Sequence, residues 1–431
     1  MLRRIFVDGY KSLKNVELKV QPLTVVISPN ASGKSNLFDA LRLLSRIVTS
    51  RSLSDAFGDH RGDPLEAFDY SREGVEGLLR KERVQFTMEV DVELSPQVIK
   101  ETERLIQAYK ATTAENGNET APPRKYITER FLRYRIGVEM IPRTGVLRVC
   151  DESLWALRGK GGDLYINEHR KAFLERVGDR LRLRMEGQAR PTDHELGLNY
   201  ALVSQPLYPP HYPHIIAFRE EVARWQFYYF EPRLMREENP VKQTFQLTTF
   251  GGDLAAFYYT LQQNNEKQFQ NLQKILSALV PTAKSFTSEL TEEGKVRLKI
   301  QEEGVYFSAK VISEGTLRLL GLLAILSPTS PATVVGFEEP ENGVHPRRLK
   351  LIADLLYNAS EHKQIIVNTH SHILPDYFSK VYLIECKKIN AQSVFSPMIN
   401  AHGLFRKSMA EEALDEEIPL VSEQILRGDW G

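Results

Sequence analysis

The chain has 431 residues, with 56 Lys and Arg against 56 Asp and Glu, and 42% of it is hydrophobic. This composition is that of a globular protein of two or three lobes, and it excludes a mainly disordered chain. Zero formal net charge and a pI near 7.2 exclude a surface that is basic throughout, while local basic patches stay open.

Cysteine use and hydropathy predict a cytoplasmic protein. Cys150 and Cys386 are too few for a disulfide framework and too far apart for a metal-binding pair. Near the N-terminus, polar Asp8 and Gly9 come before any apolar core, so we expect no targeting segment. The most apolar stretch, 317–326, is about half the length of a membrane span. We therefore expect no membrane association.

The first part of the chain predicts strands, a helix and a long alternating strand. Residues 1–27 predict strands with a turn near Asn15, and 36–48 has the apolar spacing of an amphipathic helix. Residues 50–80 predict loops and short helices. Apolar and polar residues alternate without a slip over 84–94, which indicates a half-buried strand.

The middle of the chain predicts a mixed, strand-rich insertion. We expect a helix at 97–110, a polar mobile loop at 111–125, a hairpin at 131–150, and short strands with a charged helix at 163–205. No stretch sustains apolar heptads, so long coiled-coil arms are not expected.

The last part alternates apolar strands with helices. The expected helices lie at 215–227, 255–280, 316–326 and 346–359, and the expected strands at 296–300, 305–311, 333–337 and 364–368. Strands with few charges between helices indicate an α/β fold with a buried, largely parallel sheet. Residues 411–417 are acidic and predict a solvated tail.

The strongest local motif is Ser-Pro-Asn-Ala-Ser-Gly-Lys-Ser-Asn at 28–36, between a predicted strand and a predicted helix. Backbone N–H groups in such a loop converge on phosphate oxygens. Lys34 would bridge the outer phosphates, and the Ser35 hydroxyl would bind Mg2+. Ser28 stands where the consensus has its first glycine, which raises a question about the loop conformation. The predicted nucleotide-binding residues are Asn30, Ser32, Gly33, Lys34, Ser35 and Asn36.

A second motif is the apolar strand 334–337, which ends in carboxylates. Glu338 would hold Mg2+ through its water, and Glu339 would polarise the attacking water. His370 follows the next buried strand and would sense the γ-phosphate. A metal site formed by His370 and His372 lacks a third ligand and is the weaker interpretation.

The segment Ser313-Glu314-Gly315-Thr316 precedes an apolar helix. The plain interpretation makes Ser313 a helix N-cap and Gly315 a close-packing residue. The functional interpretation makes this helix start a second anion site.

The order of these motifs resembles the ABC-type ATPases of the RecF/SMC/OLD-like branch. The opening segment 6–13, Phe-Val-Asp-Gly-Tyr-Lys-Ser-Leu, is similar to a strand of that branch, which implies that Lys11 and Ser12 approach the nucleotide. The resemblance covers 1–48 and about 245–385 with specific motifs. It implies a P-loop ABC-type ATPase head with a mixed sheet core, a strand-rich insertion and no long coiled coil.

The resemblance also implies a division of the chain and a mechanism. In the family, two heads sandwich two ATP molecules with Mg2+, so Ser313, Gly315 and Thr316 would act in trans within a homodimer or higher even oligomer. Residues 340–342 would lie at the dimer seam. The implied domains are the N-terminal head part at 1–80, the insertion lobe at 81–235, the C-terminal head part at 236–400 and the acidic tail at 401–431.

Three roles remain open for such a head. Few residues follow Ile384, so we expect no C-terminal nuclease domain of the OLD type, and a separate nuclease or toxin effector chain would make this the ATPase subunit of an anti-phage defence system. The first alternative is a RecF-like repair ATPase that binds DNA through the basic run 170–190, which equally suits a solvated face. The second alternative is an ATP-binding scaffold with little turnover.

Overall fold

The computed structural model describes residues 1–69, 74–113, 125–160, 162–188, 190–328, 330–378 and 380–398. Most of the expected loop at 111–125 and the expected acidic tail at 411–417 lie outside these ranges. Within them, no helix has both the length and the apolar character needed to cross a membrane.

The secondary structure consists of nineteen strands and ten α-helices in the described ranges. The strands are β1 (Leu2–Asp8), β2 (Val16–Lys19), β3 (Leu23–Ile27), β4 (Val84–Glu93), β5 (Phe131–Ile141), β6 (Val146–Lys160), β7 (Asp163–Ile166), β8 (Leu174–Val177), β9 (Arg180–Leu183), β10 (Thr192–Glu195), β11 (Trp225–Tyr228), β12 (Asn239–Pro240), β13 (Ala283–Leu290), β14 (Lys295–Glu302), β15 (Val305–Ser308), β16 (Val334–Glu338), β17 (Gln364–Thr369), β18 (Tyr382–Ile389) and β19 (Gln392–Pro397). The helices are α1 (Lys34–Thr49), α2 (Leu53–Phe57), α3 (Gly74–Leu79), α4 (Pro96–Thr113), α5 (Pro213–Ala223), α6 (Pro232–Met235), α7 (Leu254–Asn264), α8 (Glu266–Leu279), α9 (Glu314–Leu326) and α10 (Leu349–Ser360).

Contacts divide the chain into two compact units, each made of separate segments. The first unit contains Met1–Val20, Ala31–Trp225 and Cys386–Phe395. The second contains Gln21–Asn30, Gln226–Glu385 and the chain from Ser396. The four domain ranges expected from the sequence stay a prediction.

The first unit is built on an antiparallel sheet in the order β10-β9-β8-β6-β5-β4-β1-β2, with β7 paired to β6. Strands β4 and β5 pair along their whole length, from Val84 opposite Met140 to Glu93 opposite Phe131. Alternate side chains of β4 are the more buried ones from Val84 to Val90, and the end of the strand, Asp91 to Glu93, is buried throughout. The alternating strand predicted at 84–94 is therefore confirmed, since period-two burial is what an antiparallel sheet with one covered face requires.

Helix α1 of the first unit confirms the helix expected at 36–48 and extends it by a few residues. Leu37, Leu41 and Leu44 are buried along one of its faces. Their three- and four-residue spacing matches the 3.6-residue turn, so a single apolar stripe covers the core.

The second unit is built on a sheet in the order β11-β16-β17-β3-β18. Strands β16, β17, β3 and β18 are parallel to their neighbours, and every residue of β3 and β17 is buried. The predicted buried parallel sheet is confirmed. Because parallel strands end at one edge, Glu338 lies opposite Asn368, and Thr369 lies opposite Ile27.

A smaller antiparallel sheet, β12-β14-β13 with β15 beside β14, completes the second unit. The ring of Phe286 in β13 packs against Tyr258 and Phe269, with ring centroids 4.7 and 4.9 Å apart. Strand β13 was not expected from the sequence, because its polar residues outnumber the apolar ones that this packing buries.

The charged helix expected within 163–205 is wrong. The described residues there form β7 to β10 and a short 3-10 turn. Strands β8 and β9 join through a two-residue turn, and Leu174 pairs with Leu183. The apolar residues follow a period of two, so buried Leu181 and Leu183 face the core while Arg182 pairs with Asp193 on the neighbouring strand.

Two further helix predictions need correction. The single helix expected at 255–280 is two helices, because Asn265 ends α7 and caps α8 by accepting a hydrogen bond from Gln268 N at 3.1 Å. The helix expected at 215–227 ends at Ala223, and Trp225 begins strand β11.

Candidate functional site

The phosphate loop 28–36 has residues in both units, with 28–30 in the second and Ala31 onward in the first. In the first unit, Gly33 precedes α1 with a φ of 90°, the left-handed conformation that favours glycine. A Cβ at this position would lie 2.0 Å from Ser393 Oγ and 2.7 Å from Ser12 Oγ, so the close approach excludes a side chain as well.

The start of α1 is suited to an anion. In this fully described helix, no side chain caps the N-terminus and no acidic residue lies in the first turn. Lys34 is the first helical residue and is buried, and Ser35 follows it, half-buried. Helix N–H groups without intrahelical partners, beside a buried ammonium group, provide donors and positive charge for phosphate oxygens.

Hydroxyl groups hold the loop from behind. Ser393 Oγ donates to the carbonyl of Ser32 at 2.7 Å and lies 2.6 Å from Ser12 Oγ. Asn36 Nδ2 donates to Ser12 Oγ at 2.7 Å. The structure thus brings Ser12 next to the loop residue Asn36, and the two came from separate sequence motifs. Sequence reasoning missed Ser393, because it comes from β19, far along the chain, and no motif surrounds it.

Lys11 is engaged away from solvent. Its Nζ lies 2.8 Å from Asp39 Oδ2 in a buried ion pair and donates to the Arg61 carbonyl at 3.2 Å. Lys11 also has a φ of 47°, and Ala31 one of 61°, both in the left-handed region. Such backbone strain, about 1–2 kcal/mol per residue, is concentrated at functional sites. A role for Lys11 in nucleotide binding stays a prediction.

Metal binding at this loop would need the nucleotide itself. Within the described ranges, no three His, Cys, Asp or Glu side chains cluster so as to hold an ion, and this holds for His370 with His372 too. Mg2+ commonly takes one or two protein ligands together with substrate phosphates and waters. A single hydroxyl such as that of Ser35 fits that ligand set.

In the second unit, polar groups collect at the carboxyl edge of the parallel sheet. Glu338 Oε1 accepts from Asn368 Nδ2 at 3.4 Å, and Glu339 N donates to the Asn368 carbonyl at 2.8 Å. Glu339 has a φ of 53°. The backbone therefore turns sharply at the end of β16.

His370 joins Glu339 to the loop residue Ser28. Its Nδ1 donates to the Ser28 carbonyl at 2.6 Å, so the ring proton on this side is fixed. On the other side Nε2 lies 3.2 Å from Glu339 Oε1, and His370 N donates to Glu339 Oε2 at 3.4 Å. The backbone N–H of His370 orients the carboxylate, and a doubly protonated ring would add a second donor from Nε2.

Ser28 in the consensus glycine position is compatible with an ordinary backbone. Its φ is not in the left-handed region, so a side chain is accommodated without strain. Its carbonyl serves His370, and its buried hydroxyl has no hydrogen-bond partner. The departure from the consensus therefore does not disturb the contact made there.

Glu341, at the predicted dimer-seam position, is tied within its own unit. Its Oε1 accepts from Thr369 Oγ1 and, at 3.2 Å, from Ser371 N, while Oε2 is buried without a partner. Burial raises the pKa of this carboxyl to about 7, and the nearby Glu339 charge acts in the same direction. The run of acidic residues in the sequence draws attention to Glu341, but it does not indicate that the Glu341 side chain points into its own unit.

In the segment 313–316, the structure shows the helix cap and the close-packing glycine of the plain interpretation. Ser313 Oγ accepts from Thr316 N at 3.2 Å, which makes it the N-cap of α9. A Cβ on Gly315 would lie 2.6 Å from the Cα of Gly343, so the two backbones pack directly. Ser313 is exposed, and a role in trans stays a prediction.

The basic run 170–190 in the first unit is largely paired with other groups. Arg182 contacts Asp193 at 2.8 Å, Arg184 contacts Glu175, and Arg170 lies 2.9 Å from Glu129. These pairs leave less of the run available for DNA phosphates than the sequence suggested.

Comparisons with known proteins agree with this architecture. Residues 173–374 match the family model described as "AAA domain, putative AbiEii toxin, Type IV TA system". The matched range contains the segment 313–316, Glu338, Glu339 and His370, and it does not contain the loop 28–36. No curated protein matches the chain.

Solved structures of SMC heads share the fold. A crystal structure of an SMC head bound to the C-terminal winged-helix domain of ScpA has a TM-score of 0.53 at 13% identity, covering 96% of this chain and 99% of that chain. A Pyrococcus furiosus SMC head with an extended coiled coil, bound to the C-terminal domain of ScpA, has a TM-score of 0.51 at 11% identity, covering 100% and 99%. In this chain the longest described helix, α4, has 18 residues, and no long coiled coil is present in the described ranges. The chain therefore has the fold of SMC head domains, and residues 173–374 are similar to the AAA family model.

Proposed function

We propose that this chain binds ATP with Mg2+, hydrolyses it, and uses the cycle as a switch in a cytoplasmic assembly. The observation that carries the proposal is the start of α1, where an uncapped helix N-terminus, left-handed Gly33 and buried Lys34 follow one another. Together these features provide N–H donors and positive charge for the oxygens of a bound phosphate. The family likeness supports the nucleotide.

The residues take the following roles in the proposal. Asn30 and residues 32–36 hold the phosphates, with Lys11 and Ser12 supporting the loop. Ser35 and Glu338 are the protein ligands of Mg2+, which when bound neutralises charge on the phosphates. Glu339 polarises the attacking water, and His370 holds Glu339 in place and senses the γ-phosphate.

Binding at the loop is tested with Lys34→Ala. We expect ATP affinity to fall by about 100-fold, because the loop loses its buried positive charge. Lys14→Ala, at an exposed lysine of the same unit, is the matched control and should bind like wild type. Circular dichroism checks that both variants fold. Wild-type affinity in folded Lys34→Ala would show that the assignment is wrong.

Association of two heads is the second part of the proposal. In it, Ser313, Gly315 and Thr316 contact the nucleotide of a second copy, so that ATP favours a homodimer or a higher even oligomer. Light scattering on Glu339→Gln with Mg-ATP should show at least a doubled mass. Ser313→Asp keeps the helix cap but places a charge against the phosphate, and should abolish association. Ser313→Asn, an uncharged cap, is its control.

The switch would control a separate effector chain, a nuclease or toxin, in an anti-phage defence system. The SMC heads of similar fold are recorded with bound ScpA domains, which supports a partner chain for this head too. Copurification from the native host, with and without phage challenge, tests this part, and recovery of the head alone in both conditions would contradict it. Absence of turnover with every partner would favour the ATP-binding scaffold.

A further inference from the structure

The first unit contains a cavity of about 930 Å3 that the proposed ATPase does not use. Its wall comes from the end of α4, residues 125–128, 170–173, 184–188 and the Pro-rich segment 208–213. None of the predicted nucleotide residues lines it. Its volume lies in the range of small-molecule sites, about 300–1,000 Å3.

Positive charge dominates this wall. Five cationic side chains line the cavity, against one carboxylate, that of Glu186; they are Lys110, Lys125, Arg170, Lys171 and Arg184. Glu186 is committed to the wall, because its Oε2 accepts from Arg170 at 3.0 Å and from His214 Nδ1 at 2.6 Å. The single negative charge is therefore neutralised where it stands.

Two of the lysines are left for a ligand. Lys125 and Lys171 are exposed and lie within 4 Å of no carboxylate in the part of the chain that the structure describes. Arg184 contacts Glu175, but its Nε is buried without an acceptor. Because this atom is buried, Arg184 adds positive charge to the wall and no hydrogen bond to a ligand.

The wall is fixed before any ligand binds. His214 is fully buried, and its Nε2 accepts from Thr128 N at 3.1 Å and from Glu129 N at 3.0 Å. Because Nε2 accepts, Nδ1 carries the proton that it donates to Glu186. The Phe173 ring stacks on His214 at 4.5 Å, with the Arg170 guanidinium 4.6 Å from its centroid. One buried ring thus ties three wall segments together.

Aromatic surface lies beside these charges. Tyr208 is 38% exposed and packs edge-on against His211, and Tyr126 has the Lys110 ammonium 4.6 Å from its ring centroid. Flat rings next to lysines suit a ligand that carries both an aromatic heterocycle and a phosphate. A ligand with carboxylates alone would make no use of the rings.

We propose that this cavity binds a nucleoside phosphate, with its phosphate on Lys125 and Lys171 and its base on Tyr208. The same chemistry occurs in a free mononucleotide and in the end of a single strand. No residue of the proposed ATP site lines this cavity, so the cavity proposal does not depend on the proposed ATPase function.

The test uses the full chain with Lys34→Ala, which is expected to weaken nucleotide binding at the loop 28–36 by about 100-fold. Calorimetry measures AMP, GMP, CMP, UMP, inorganic phosphate and a 5′-phosphorylated eight-residue DNA strand of mixed sequence. Lys125→Glu with Lys171→Glu should weaken binding at least about tenfold, since two charge-assisted contacts are reversed. Arg143→Glu with Arg180→Glu makes the same charge change at exposed positions outside the cavity and should have less than a twofold effect.

A second pair of variants separates stacking from charge. Tyr208→Ala should weaken binding of mononucleotide or strand by about fivefold or more and leave inorganic phosphate unaffected, whereas Tyr208→Phe should bind like its parent. Binding of a mononucleotide identifies a free ligand, and binding of the strand alone identifies a nucleic acid end. For the DNA strand, the logarithm of the binding constant falls as the logarithm of the salt concentration rises. In Lys125→Glu with Lys171→Glu this slope should be less negative by about 1.4.

Three results would overturn the proposal. The first is that no probe binds at millimolar concentration. The second is that the lysine double variant at the cavity and the arginine double variant outside it weaken binding equally. The third is that a phosphate-free acidic peptide binds as tightly as the nucleotide probes. The last result would make the cavity a peptide site.

Discussion

Glu152 in the first unit and Glu341 in the second are carboxyls with the same shift and different surroundings. Burial raises the pKa of each to about 7. Both oxygens of Glu152 are satisfied, by Tyr134 Oη–H at 3.0 Å, Leu202 N at 2.8 Å and Val203 N at 3.2 Å. Oε2 of Glu341 has no donor, and the Glu341 carboxyl contacts that of Glu339, which favours the protonated form of Glu341. A raised pKa alone therefore does not identify a functional carboxyl, whereas contact with Glu339, which lies beside His370, points to one.

The largest effect is expected from a change at Glu339, the neighbour of Glu341 to which we assign the catalytic role. Glu339→Gln should lower ATP turnover by at least about 100-fold, because the amide cannot polarise water as a carboxylate does. ATP binding should persist. Glu361→Gln, at an exposed position after α10, is the matched control. Steady-state phosphate release measures both, and wild-type turnover in Glu339→Gln would refute the role.

The second test concerns the satisfied carboxyl. Glu152→Ala should lower the free energy of unfolding by about 2–4 kcal/mol, because one hydroxyl and two backbone N–H groups lose their acceptor in a buried place. Glu152→Gln keeps one acceptor oxygen and should cost less. Urea denaturation gives both values, and a loss below about 1 kcal/mol in Glu152→Ala would show that water replaces the carboxylate.

The third test uses pH. Glu341 has a pKa of about 7 in the folded chain and an ordinary value of 4.5, so the folded state binds more protons between these values. Stability from this group is present below about pH 4.5, is lost as the pH rises to about 7, and stays lost above it. Glu341→Gln should therefore be more stable than wild type at pH 8 by about 1 kcal/mol, with the difference vanishing near pH 4.5. Glu152 is common to both proteins and cancels. A difference independent of pH would rule out this ionisation as its cause.

The smallest effect is expected at Ser28. His370 uses the Ser28 carbonyl, and the hydroxyl has no partner. Ser28→Gly should change turnover by less than about twofold and stability by about 0.5 kcal/mol, mainly through the unfolded chain. A tenfold loss of turnover would mean that the hydroxyl contacts the reacting groups.

The parts predicted well were those with a local cause. Alternation over β4, the spacing of α1 and the charge-free β17 each report burial by one sheet or one helix face, and each was confirmed. The expected head fold was confirmed as well, because solved SMC heads share it, and its sequence motifs lie at strand and helix ends. Charge alone misled the prediction at 163–205, where arginines paired across strands were taken for one face of a helix.

The parts not predicted depend on distant segments. Ser393 meets Ser12 and Ser32 only because the last hairpin returns to the loop, and no property of 392–397 announces it. The same limit applies to Glu341, whose side chain is held by Thr369 at the end of β17 and by Ser371 just after that strand.

The position of β3 has a consequence for biosynthesis. This fully buried strand pairs with β17 on one side and β18 on the other, although more than 300 residues separate it from both along the chain. A ribosome that adds about 5–20 residues per second would release Leu-Thr-Val-Val-Ile on the order of half a minute before either neighbour exists. During this time the apolar strand must be kept from pairing with other segments. Protection by a chaperone, or early burial against α1, would then determine the yield of native protein.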